Sequence, residues 1–204
     1  MLNENNLHPY QRAAVDHIIT HPYCGLFLEM GLGKTVSTLT AINLLINCYG
    51  EVRRVLIVAP LRVAQSTWSD ECAVWEHLGN LRIAKVLGSV KQREAALNED
   101  ADLYVVNREN IPWLTTKYQH LFVNNFFDML VIDELSSFKS SKTSRWKAMR
   151  LVRPYFSRVV GLTGTPSPNG YIDLWAEMYL LDQGDRLGKF ITRYRADYFR
   201  GIGN

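Results

Sequence analysis

Cysteine is scarce in this chain of 204 residues, and the three present (Cys24, Cys48, Cys72) are odd in number and far apart. That excludes a disulfide framework and a cysteine-built zinc site. It fits a reducing cytosol, where thiols serve as small apolar fillers. No apolar run approaches the ~20 residues that span a bilayer. The first eight residues are polar and include Glu4, which excludes a secretory leader there. Repeats, low-complexity stretches and linkers are missing too. Acid is locally absent: residues 135–172 contain no Asp or Glu, yet hold Lys139, Lys142, Arg145, Lys147, Arg150, Arg153 and Arg158. The net charge of +3 conceals that asymmetry.

What is present alternates. Apolar, strand-like runs are expected at 24–28, 54–59, 82–87, 102–106, 128–133 and 158–162. Helices are expected at 9–20, 35–47, 62–75, 90–98, 144–152 and 171–181. Runs such as Val55-Leu56-Ile57-Val58 and Met129-Leu130-Val131-Ile132 are apolar without interruption, as in strands covered on both faces. The pattern predicts an α/β domain with a mostly parallel sheet between two helical layers. Beyond Asp182 the chain is polar and basic, with Arg186, Lys189, Arg193, Arg195 and Arg200, and gives no clear element.

In such sheets the working groups gather at the carboxyl ends of the strands, and the informative residues fall there. Glu29-Met30-Gly31-Leu32-Gly33-Lys34-Thr35 sits between a strand and a helix. Gly31 and Gly33 allow backbone N–H groups to turn inward around an anion, and the helix points its positive end at the same place. Lys34 would reach the outer phosphates of a nucleotide and Thr35 would ligate Mg²⁺. Asp133-Glu134 ends the fifth run. An acidic pair alone could equally cap a helix. With a phosphate loop upstream, Asp133 is assigned to the metal and Glu134 to the attacking water. Thr163-Gly164-Thr165-Pro166 is a polar turn whose hydroxyls could bond the acidic pair. Gln11 offers a donor and an acceptor that suit an adenine edge, though an isolated glutamine is usually a surface residue.

The acid-free stretch favours a polyanion partner over a merely solvated face, with Lys142, Arg145 and Arg153 suited to phosphate contacts. Trp113 and Trp146 could stack on bases, but packing is the better assignment for each.

These residues resemble a known family. Leu7-His8-Pro9-Tyr10-Gln11, the phosphate loop with Glu29 before Met30, Ala59-Pro60-Leu61 followed by Trp68, Asp133-Glu134 with Lys139, and Leu162-Thr163-Gly164-Thr165-Pro166 with Asn169 and Asp173-Leu174-Trp175 are together similar to the first RecA-like lobe of superfamily-two helicases of the Swi/Snf type. The resemblance covers nearly the whole chain. It implies a RecA-like, three-layer P-loop fold, ATP and Mg²⁺ as ligands, and coupling through Thr163, Gly164 and Thr165. It also implies DNA, duplex rather than single-stranded, met at its backbone by Arg62, Asn107, Arg108, Lys139, Lys142, Arg145 and Asn169. RNA remains open. Two departures stand out: Leu135-Ser136 replaces the usual Ala-His, and Pro168 stands where glutamine is common. With no large insertion, the lobe looks bacterial or phage-like, and a bacterial or infected-cell cytoplasm is the expected location.

The resemblance implies that residues 1–182 form the ATP-binding lobe and 183–204 a basic segment leading toward a second RecA-like lobe with no counterpart here. The last residues do not read as a domain close, so an excised lobe, or a half that needs a partner, is expected. An arginine finger from across the cleft accelerates related hydrolysis by roughly 10³–10⁵, so the chain alone should turn over slowly or not at all. The competing readings are a non-catalytic DNA- or protein-binding module with a decayed nucleotide site, and a P-loop ATPase unrelated to nucleic acid.

Overall fold

A computed structural model of the protein describes residues 2–199; Arg200, counted above among the tail cations, lies outside them. Six strands form one all-parallel sheet: β1 (Tyr23–Phe27), β2 (Val55–Ala59), β3 (Ile83–Val86), β4 (Leu103–Asn107), β5 (Met129–Asp133) and β6 (Arg158–Thr163), in the spatial order β1-β6-β5-β2-β4-β3.

Successive side chains of a strand point to opposite faces, and the core divides accordingly. Val55, Ile57 and Ala59 face one layer, and Leu56 and Val58 the other. All five are fully buried, which is why the run carries no polar position. The first layer holds helices α1 (Pro9–Thr20), α2 (Lys34–Asn47) and α3 (Trp68–Val74). The second holds α4 (Val90–Leu97), α5 (Ile111–Lys117), α6 (Gln119–Val123), α7 (Ser144–Val152), α8 (Leu174–Asp182) and α9 (Ile191–Tyr198). Ser89 starts α4 with a reciprocal capping box to Gln92, and Pro9 starts α1 where its missing N–H costs nothing.

The expected strands match to within about a residue or two at each end, and α1 and α7 carry the expected bounds. Elsewhere the structure differs. The expected helix 62–75 opens with a π turn, Val63–Thr67, before α3, which carries Trp68 into the core. The expected helix 171–181 starts only at Leu174, because turns at Ser167–Gly170 and Gly170–Asp173 bonds occupy the preceding backbone. The tail is helical at α9: Ile191, Tyr194 and Tyr198 recur on one face, and Tyr194 is buried against the second layer. Cys24 and Cys72 are buried fillers with thiol pKa values pushed up to about 11 by burial, whereas Cys48 is exposed and fills nothing. No described helix is long and apolar enough to cross a membrane.

Candidate nucleotide site and adjoining basic cleft

The strand order brings the sequence motifs into a row. β1, β6 and β5 are neighbours, so the phosphate loop, the Thr163 turn and Asp133-Glu134 leave the sheet side by side; the loops after β2 and β4, with Arg62 and with Asn107-Arg108, continue the row.

In the phosphate loop, Gly31 and Gly33 take φ values of 81° and 72°, a region open to glycine at little cost. Helix α2 begins at Lys34 with no side-chain cap at Gly33, so its first N–H groups are directed at the loop. Lys34 Nζ donates to the carbonyls of Leu28 (2.7 Å) and Glu29 (2.9 Å), which lays the ammonium across the loop. Met30 is 90% exposed and Leu32 half-buried, so these two contribute backbone to the loop while Met30 projects outward. Ser37 and Thr38 return their hydroxyls to carbonyls one turn back; Thr35 is half-buried at the loop itself. Gln11 is buried, its Oε1 accepting from the His8 N–H (2.9 Å) and its amide nitrogen lying against Gly33. The carboxamide is therefore built into the loop's support, with its nitrogen as the freer group.

Asp133 closes β5 and accepts a hydrogen bond from the Trp68 indole N–H (3.1 Å). Burial raises its pKa to about 6, aided by the Glu134 charge and opposed by Trp68, the Glu134 N–H and Lys34. Trp68 was absent from the site read in the sequence; its only signal there was its place in the family pattern. Glu134 has φ 60° and ψ 64°, a left-handed conformation that non-glycine residues hold only when their surroundings impose it. Two hydroxyls meet its Oε1: Thr163 donates at 3.0 Å, and Ser136 donates from within the turn. Thr163 in turn accepts from the Thr165 N–H (3.1 Å). Gly164 lies over the phosphate loop, where an added Cβ would stand 3.5 Å from the Leu28 carbonyl and 3.7 Å from the Met30 nitrogen. The turn thus links the phosphate loop to the carboxylate.

The donor set fits a nucleotide with a divalent cation: uncapped N–H groups and an ammonium for phosphate, and a hydroxyl and a carboxylate for a metal that would complete its shell with phosphate and water. The described residues hold no cluster of three or more His, Cys, Asp or Glu, the pattern of an all-protein metal cage.

Beside Glu134 opens a cavity of about 500 Å³ lined by Arg108, Ser136, Ser137, Lys139, Ser140, Thr143, Arg145 and Pro168. Lys142 is exposed next to it, in a second cavity of about 250 Å³ that also includes Lys139, Asp173 and Arg195. Arg62 and Asn169 are exposed on their loops.

Several sequence assignments are corrected. Arg153 is fully buried and donates to the carbonyls of Leu180 (2.6 Å) and Leu181, capping α8. Arg158 donates to Ile18 and Ile19 carbonyls at the end of α1 and pairs with Glu51. Neither faces a polyanion. Arg108 pairs with Glu109 (2.9 Å), and Arg145 approaches the same carboxylate at 3.9 Å, so acid from outside the acid-free stretch compensates part of its charge. Asn107 is buried and hydrogen-bonded to Glu109 and Asn110, which removes it from any open surface. The tryptophans pack as the sequence reading assigned them: Trp146 is core, its indole N–H bonded to the Ala176 carbonyl (2.8 Å), and Trp113 is covered by Arg93.

The chain is similar to known proteins. The family described as SNF2-related domain matches residues 10–186. Protein p41 of Acyrthosiphon pisum secondary endosymbiont phage 1 is 38% identical over 95% of the chain, which spans 43% of that relative. The chromatin-remodeling ATPase INO80 of Sclerotinia sclerotiorum is 27% identical over 81% of the chain, which spans 10% of it. Among solved structures, the Sulfolobus solfataricus SWI2/SNF2 ATPase core in complex with dsDNA is 25% identical, with a TM-score of 0.77 over 94% of this chain and 38% of that one. The chain thus spans less than half the length of each.

Proposed function

Because the chain belongs to the SNF2-related domain family, we propose that it is the ATP-binding first lobe of an ATP-driven DNA translocase. The observation that carries this is the contact among three adjacent strand ends, where Thr163 bonds Glu134 and Gly164 rests on the phosphate loop.

The nucleotide would sit on the loop, with the N–H groups of α2 and Lys34 on its phosphates and Gln11 near the base. Mg²⁺, held by Thr35 and Asp133, would neutralise phosphate charge when bound. Glu134 orients a water and takes its proton as that oxygen attacks the γ-phosphorus; the bond to the β-phosphate oxygen breaks, giving ADP and phosphate. Thr163, Gly164 and Thr165 relay the state of the site, since Thr163 holds the carboxylate and Gly164 touches the loop. Arg62, Arg108, Lys139, Lys142, Arg145 and Asn169 would meet a DNA backbone, duplex in preference, so salt dependence should be strong and sequence preference weak. A second RecA-like lobe would complete the site, with the boundary not near residue 182, as the sequence suggested, but beyond α9, whose Tyr194 is buried in this lobe's core.

Calorimetric titration with Mg²⁺ and a non-hydrolysable ATP analogue tests the site. Metal-dependent binding that is lost in Lys34→Ala supports the reading. Binding indifferent to Lys34 rejects it and favours a module with a decayed nucleotide site.

A further inference from the structure

Of the cations in the acid-free stretch, Arg153 and Arg158 are tied to carbonyls inside the fold. Lys139 and Arg145 line the cavity beside Glu134, with Lys142 next to it. Lys147 and Arg150 are left without a role. They lie three positions apart on α7 and so share a face, and Leu151 stands one turn beyond Lys147 on that face. All three are exposed, Leu151 to 73%.

Two cavities meet along this face. One, of about 520 Å³, is bounded by Lys147, Arg150, Leu151, Pro154, Tyr179 and Gln183. The other, of about 490 Å³, shares Lys147 and Arg150 and extends to Lys189 and Phe190, just before α9. Between them runs an aromatic floor: the rings of Trp146, Trp175 and Tyr179 have centroids 5.2 to 5.9 Å apart. The Arg150 guanidinium stands 5.8 Å from the Trp146 ring and 5.5 Å from the Tyr179 ring, so the aromatics hold it over the groove. Phe190 is 69% exposed at the far end.

No Asp or Glu lines either cavity, and α7 carries none. The acids of α8 turn away: Glu177 is fully buried, and Asp182 accepts from the N–H groups of Gly184, Asp185 and Arg186. The described ion pairs nearest this face join Arg145 to Glu109 and Arg186 to Asp182. Among the described residues, Lys147, Arg150 and Lys189 thus keep their charge unpaired beside exposed apolar surface.

We propose that this groove docks an acidic segment of a partner protein. Its carboxylates would meet Lys147, Arg150 and Lys189, with the guanidinium able to grip one of them through two N–H groups. Its bulky apolar side chains would cover Leu151 and Phe190. A nucleic-acid backbone would answer the cations but leave both apolar side chains uncovered, which favours a peptide. Neither cavity includes Glu134 or a residue of the phosphate loop, so a docked segment leaves the nucleotide site open.

The test is anisotropy of a fluorescein-labelled peptide in which glutamates alternate with leucine around one tryptophan. A peptide of glutamate and glycine and a labelled DNA duplex are titrated alongside. The variants are Lys147→Glu with Lys189→Glu, which alters no ring contact, and Phe190→Ala; thermal melts establish folding for each. The native chain should bind the glutamate-leucine peptide more tightly than the glutamate-glycine one. Charge reversal should weaken that binding about tenfold or more, and Phe190→Ala by a few-fold. Equal affinity for the two peptides, no peptide binding, or native affinity in both variants overturns the inference. Charge reversal that weakens only duplex binding also overturns it and assigns the face to nucleic acid.

Discussion

Thr163 donates its hydroxyl to Glu134 across 3.0 Å, joining the end of β6 to the strained residue that follows β5. Thr163 is fully buried and Glu134 is held in a left-handed conformation, so the bond fixes where the carboxylate points. Ser136 donates to the same oxygen, which leaves Oε2 as the atom free of these two donors.

Thr163→Val keeps the shape and removes the donor. A hydrogen bond to a charged group contributes about 1.5–3 kcal/mol, so turnover by the chain joined to a second lobe should fall by roughly ten- to a hundredfold. Nucleotide affinity should stay within a few-fold of native. Parallel loss of affinity and turnover would show that Thr163 supports the loop rather than the carboxylate.

Trp68→Phe retains an aromatic filler and withdraws the N–H from Asp133. The carboxylate is left buried with one donor fewer, at a cost of about 1–3 kcal/mol in urea unfolding. An unchanged unfolding midpoint would mean the indole bond contributes nothing.

Arg153 and Lys142 separate structure from binding within one basic stretch. Arg153→Gln should destabilise the fold by about 3 kcal/mol or more, because it uncaps the last carbonyls of α8 from inside the core. Lys142→Ala should leave stability unchanged and reduce the salt slope of duplex binding by about one. The reverse pattern would contradict the assignment of each.

Glu177, fully buried on α8 with neither carboxyl oxygen hydrogen-bonded, sets a pH dependence of stability. Its pKa is raised from 4.5 to about 8, so the folded chain keeps a proton that the unfolded chain has released between those values. Stability should therefore fall as pH rises through that window. Glu177→Leu should remove this fall, melting higher than the native chain at pH 8–9 and losing the advantage near pH 4. Parallel melting curves across that range would show the acid is solvated.

The parallel sheet was legible because buried strands tolerate no polar position, and Val55 to Val58 carry none. The phosphate loop was legible because Gly31 and Gly33 are required by backbone geometry and Lys34 and Thr35 by chemistry. The true partners of the cations were not: whether an arginine faces solvent or caps a helix depends on which carbonyls the fold brings to it, as Leu180 and Leu181 do for Arg153. Asn107 misled for the same reason, its amide held by Glu109 and Asn110. Helix α9 was hidden by its arginines, although Ile191, Tyr194 and Tyr198 mark a helical face. Glu177 carried no sequence signal, since a glutamate on a helix is ordinarily solvated.

The most direct test is steady-state ATP hydrolysis by the chain joined to a second lobe, with and without duplex DNA, against Glu134→Gln as background. Duplex-stimulated turnover that disappears in Glu134→Gln is the result this account predicts. Turnover that ignores duplex DNA, or that survives loss of the Glu134 carboxylate, would contradict it.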